Sequence, residues 1–185
     1  MTGPVHLPWD WCPAPVPANV EVGARSWIYS SFAFLHHRSE RRVGVRVGHD
    51  TGLYAGTCFV TGPESSVEIG DFCSVDGAVF AVNGSVRLGD HTLVAYGVTF
   101  SDGPVAVPPD ARPLAGGAHI EVGENVWIGA RATILGGARV GQGAVVGALS
   151  VVDSAIPSLS VCAGNPARVV RTIAPPRAPE ADGVR

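Results

Sequence analysis

An aliphatic residue followed by glycine recurs along the chain, at Val22-Gly23, Val47-Gly48, Ile69-Gly70, Leu88-Gly89, Val122-Gly123 and Val140-Gly141. Six and twelve residues beyond each aliphatic lie further apolar side chains. The triplets are Val22/Ile28/Phe34, Val47/Leu53/Phe59, Ile69/Val75/Ala81, Leu88/Val94/Phe100, Val122/Ile128/Ile134 and Val140/Val146/Val152. In a chain that is 46% hydrophobic, chance would fill all eighteen positions on the order of once in a million trials, before the choice of register is allowed for. A period of six fits neither a helix nor a simple strand. It predicts three short strands per turn, one inward side chain at the centre of each hexad and a corner between hexads. The expected architecture is an all-β parallel β-helix whose turns stack about 4.8 Å apart.

The spacing also locates interruptions. Leu88 and Val122 are 34 residues apart where a turn needs 18. The surplus falls at 102–118 (DGPVAVPPDARPLAGGA), too rich in Pro and Gly for a strand, and long inserted loops in compact domains are usually functional. The first turn carries a smaller surplus, HHRSERR at 36–42. The chain therefore divides into a Pro-rich segment 1–19, a β-helix domain 20–171 and a Pro/Ala-rich tail 172–185, with the two ends expected to pack loosely.

Composition narrows the function. The net charge of -3 gives no electrostatic case for nucleic acid or an anionic membrane. All thirteen basic residues are arginine, which excludes lysine chemistry. The four cysteines (Cys12, Cys58, Cys73, Cys162) form no CxxC pair, so free thiols are expected, with no metal. The N-terminus lacks the charged and apolar regions of a signal peptide, and no apolar run reaches membrane-spanning length. A soluble cytoplasmic protein is the expectation.

The stretch 120–171 contains NVWIGA (125–130), VVGALSVV (145–152) and AGNPARVVR (163–171) in order. It resembles the C-terminal half of the hexapeptide-repeat acyltransferases, closest to the galactoside/maltose O-acetyltransferase and xenobiotic acetyltransferase group, and the resemblance extends more weakly through 20–119. That resemblance implies a left-handed β-helix, a homotrimer with clefts between subunits, and acyl-CoA lying along the outer face of the turns. It implies that Ala130 and Ala148 offer backbone groups to the pantetheine arm, with Ser150 in the same set. It further implies that Trp127 walls the groove and that Arg168 and Arg171 sit near the CoA phosphates, where a guanidinium holds phosphate oxygens in pairs.

Two departures from the family matter. Its inserted loop carries a histidine that takes the proton from the acceptor hydroxyl or amine. The matching stretch here, VTFSDGPVAVPPDARP, has none; Asp102 and then Asp110 are its nearest titratable groups. Leu149 stands where the family has a second glycine beside the cofactor. His36, His37 and Asp102 are the candidate catalytic residues, and Asp76, Asn83 and His119 the candidate substrate contacts. Counted from the repeat, His36, Thr61, Asn83 and Asp102 share one offset and should line one edge. Three functions follow: acyl transfer from CoA to a sugar or natural product with a relocated or substrate-assisted base; a CoA-independent cyclase, dehydratase or isomerase on the same scaffold; or a non-catalytic trimeric binding protein.

Overall fold

The computed structural model describes residues 7–103 and 118–174. They form a left-handed parallel β-helix of triangular section, each turn supplying one strand to each of three sheets. The first sheet has seven strands: Val20–Val22, Val45–Val47, Ser66–Ile69, Ser85–Leu88, His119–Val122, Arg139–Val140 and Ala155–Ile156. The second has eight: Trp27–Ile28, Gly52–Leu53, Ser74–Val75, Leu93–Val94, Trp127–Ile128, Val145–Val146, Ser160–Gly164 and Ala167–Thr172. The third has five: Cys58–Thr61, Val79–Val82, Thr99–Ser101, Thr133–Leu135 and Val151–Val152. A 3-10 turn at Ser31–Phe34 closes the third side of the first coil. Every pairing is parallel except the last, where Ala167–Thr172 folds back antiparallel on Ser160–Gly164. Among the described residues no helix is long and apolar enough to cross a membrane.

The predicted triplets are the core. Seventeen of the eighteen positions are buried; Val22, on the terminal coil, is 41% exposed. One register differs from expectation. Phe59 and Phe100 both pair with Phe80, not with Ala81, because the corner after Val75 is one residue shorter than its neighbours. Gly77 makes that tight corner with φ +58 and the ring of Tyr96 directly above it, a conformation open to glycine at little steric cost. Phe80 completes an internal aromatic stack: Phe34, Phe59, Phe80 and Phe100 lie 5.1, 4.9 and 4.8 Å apart, nearly parallel. The shorter corner also moves Asn83 off the predicted row, which runs through Thr61, Val82 and Asp102.

The residue before each aliphatic-glycine pair alternates in charge: Glu21, Arg46, Glu68, Arg87, Glu121, Arg139. These are direct cross-strand neighbours on the outer face of the first sheet, and Arg46 meets Glu21 at 3.0 Å. On the corner between the first and second sheets, Asp71 and Asp90 each accept the amide of the turn before. Arg25 and His49 there hold the Asp50 carboxyl down at about 2.

Residues 7–19 are anchored, where loose packing was expected. Trp9 stacks on Trp27 at 4.3 Å and donates from Nε1 to the Ile28 carbonyl. Asp10 accepts from the Ser30 hydroxyl and the Ser31 and Cys12 amides. Burial pushes its carboxyl up, but hydrogen bonds from Ser31, Ser30 and Cys12 outweigh it and hold the group well below the usual carboxylate range. The cysteines are free thiols, and burial pushes the Cys73 thiol up to about 11, which suits packing and not nucleophilic chemistry.

Candidate functional site

In the C-terminal half, hexad alternation sorts the outer face of the second sheet into two columns. Trp127, Val145, Val161 and Arg171 are successive cross-strand partners. Alongside run Gly129, Gly147 and Ala163, with Arg168 paired to Ala163 at the end. Three strand spacings make this stripe about 14 Å long. Ala130 and Ala148, both exposed, continue it round the corner toward the third sheet. The floor must be small: a Cβ on Gly129 would stand 2.6 Å from the Ala148 nitrogen, and one on Gly147 3.2 Å from the Ala163 Cβ. Trp127, 56% exposed, rises beside it. The result is a smooth apolar track ending at two exposed arginines. It suits a long, thin ligand that ends in phosphates.

Five of the six residues assigned to the cofactor lie on this track: Trp127, Ala130, Ala148, Arg168 and Arg171. Arg168 also lies 3.5 Å from Asp153. The sixth, Ser150, is fully buried, and its hydroxyl accepts the Gly164 amide; it braces the corner from inside. Leu149 adopts φ +60 at that corner and is 70% exposed. Its side chain projects into solvent at the edge of the track.

The proposed catalytic and substrate residues scatter. His36 is exposed and His37 buried, on opposite sides as neighbouring residues should be. His37 is fixed at both nitrogens. Thr61 Oγ1 donates to Nδ1 at 2.8 Å, and Nε2 donates to Asn19 Oδ1 at 3.2 Å. Thr61 Oγ1 in turn accepts the Arg38 amide. Burial, then the Arg38 charge, lowers the His37 pKa below its ordinary value, so the imidazole serves as a neutral brace. Asp102 accepts the amides of Asn83 and Gly84; its carboxylate closes a turn at the corner between the third and first sheets. Asn83 is exposed, and its amide is a donor in that same turn.

His119 stands where the insertion re-enters the helix. Its Nδ1 lies 2.7 Å from Ser85 Oγ on the neighbouring strand, a partner that the sequence alone did not signal. Asp76 is half-buried at the short corner. It follows Ala95 in the same column as Gly129 and Gly147. Asp110 lies outside the described residues.

Residues 119–154 match the bacterial transferase hexapeptide family, six repeats. Hexapeptide repeats make up that stretch. Among curated relatives, this hexapeptide-repeat chain is 38% identical over 94 residues to the galactoside O-acetyltransferase of Escherichia coli (strain K12), covering 48% of the chain and 45% of the relative. It is 38% identical over 99 residues to WbbJ of the same strain, named as a lipopolysaccharide biosynthesis O-acetyl transferase, covering 47% and 50%. The chain thus spans about half the length of the curated relatives it matches. A galactoside acetyltransferase solved in complex with coenzyme A superposes with a TM-score of 0.55 at 26% identity, covering 84% of this chain and 66% of that one.

Proposed function

We propose that this hexapeptide-repeat protein is an acyltransferase that moves an acyl group from acyl-CoA to a hydroxyl or amine of a small molecule. The small-residue track running from the Trp127 wall to Arg168 and Arg171 carries the reading. Its dimensions suit a pantetheine arm on the glycine floor and phosphates at the guanidiniums. The cofactor would supply an activated thioester. The acceptor's oxygen or nitrogen bonds to the thioester carbonyl carbon, the C–S bond breaks, and the acceptor's proton passes by way of a base to the departing CoA sulfur.

We assign the base to His119. When its Nδ1–H donates to Ser85 Oγ, Nε2 presents a lone pair and can take the acceptor's proton. Ser85 is then a positioning residue that fixes the tautomer. His119 lies at the third-to-first corner and the track at the second-to-third corner, so the two meet only when copies of the chain adjoin. A homotrimer with sites between subunits follows from this reading, as it does from the family resemblance. Asp76 would orient the acceptor group.

The test is CoA thiol release from acetyl-CoA with a panel of hydroxylated and aminated acceptors. His119→Ala should lower kcat by about 100-fold or more, within the range for a general base, and Ser85→Ala should lower it less while shifting the pH profile. Wild-type rates in His119→Ala would overturn the assignment.

A further inference from the structure

The track does not stop at the cofactor stripe. Its column runs on from Ala95 through Asp76 to Tyr54 and Tyr29 in the first two coils. There a cleft opens between the anchored N-terminal segment and the corner, walled by Trp11, Tyr29, Phe32 and Tyr54. All four rings are substantially exposed, Trp11 at 65%, and the Trp11 and Phe32 centroids lie 5.3 Å apart at 33°. Such a concentration of exposed aromatic surface marks a binding site more often than it marks idle surface.

Apart from the phenol hydroxyls of Tyr29 and Tyr54, the polar side-chain groups beside these rings are already spent. Ser30 Oγ donates to Asp10 and accepts the Phe32 amide. Thr57 Oγ1 donates to the Val75 carbonyl. Among the described residues no charged side chain lines the cleft. A sugar seated there would find only those two phenols as partners, and each further hydroxyl buried would cost about 1–3 kcal/mol. A flat apolar ring system would lose little and gain contact with the exposed aromatic surface. Asp76, one strand spacing from Tyr54, is the nearest titratable group between cleft and cofactor stripe on this column.

We propose that this shallow cleft, about 50 Å³ in volume, stacks against one end of the acceptor and favours planar, uncharged aromatic alcohols and amines over sugars, holding the nucleophile near Asp76. The inference rests on the acyl-CoA reading for the direction of the track, and it adds the acceptor's chemical class.

Calorimetric titration of the full chain with 2-(2-naphthyl)ethanol and with methyl β-galactoside tests it, alongside thiol release from acetyl-CoA with each. Saturable binding of the naphthyl alcohol is expected, weakened at least tenfold in Trp11→Ala and Tyr54→Ala and kept in Tyr54→Phe, with unchanged melting as the check on folding. Asp76→Asn should leave that binding intact and slow thiol release. Naphthyl binding indifferent to Trp11→Ala and Tyr54→Ala, or galactoside binding in preference to it, would overturn the cleft. Tyr54-dependent binding without thiol release from any acceptor would uphold the cleft and overturn the acyltransferase reading. Thiol release with the sugar alone would do the reverse.

Discussion

His37 shows how much a residue's chemistry depends on what packs against it. In the sequence it is one of two adjacent imidazoles and a candidate base. In the fold, Thr61 and Asn19 hold both ring nitrogens, and no reacting group can reach it. The unfolded imidazole titrates near 6.5 and the folded one below that, so as the pH falls the unfolded chain takes up the proton first. Stability from this group is complete above about pH 6.5 and declines as the pH drops through the folded value. Melting curves from pH 8 to 5 should show that decline and lose it in His37→Gln. The substitution itself should cost about 1–3 kcal/mol through unpaired buried groups. Asp102 makes the same point: a titratable side chain near an insertion became a cap for the Asn83 and Gly84 amides.

At the scale of the element, the six-residue period located nearly every strand, because one inward side chain per hexad leaves a direct trace in sequence. It failed at the third coil, where the Val75–Phe80 step is five residues and the running count landed on Ala81. The signal was present in residue identity: Phe59 and Phe100 ask for a phenylalanine between them, and Phe80 supplies it. Phe80 is fully buried in that stack. Phe80→Ala should cost about 3–5 kcal/mol, and chemical denaturation at fixed pH checks it. The charge ladder was equally readable, as alternating sign one residue before each glycine pair. It reinforces register, since a slip of one coil brings like charges opposite one another. Glu68→Arg, set between Arg46 and Arg87, should lower stability by no more than about 1 kcal/mol at low salt, and the effect should fade in molar salt. Loss of stability that persists at high salt would count against a ladder held by charge.

Across the whole molecule, the fold was legible because the repeat is, and the track proposed for the cofactor was suggested only by family resemblance. Trp127, Gly147 and Arg171 are far apart in the chain; the stacking of coils brings them into one stripe. The N-terminal cleft left no periodic trace. It depends on Trp9 and Asp10 pinning residues 7–19 to the first coil, contacts that no repeat encodes. The same stacking sets the proposed cofactor stripe, Asp76 and the aromatic cleft in order along one corner, an arrangement that would suit presenting a thioester to an acceptor end-on.

The most direct test is calorimetric titration of the full chain with coenzyme A, paired with the variant Ala148→Trp. A bulky ring at that exposed corner should block the track without disturbing the core. Saturable binding of one molecule per chain is expected, with its loss in Ala148→Trp at an unchanged melting temperature. Wild-type protein that takes up no coenzyme A at millimolar concentration, or a variant that binds it equally well, would rule out a coenzyme A site on this track.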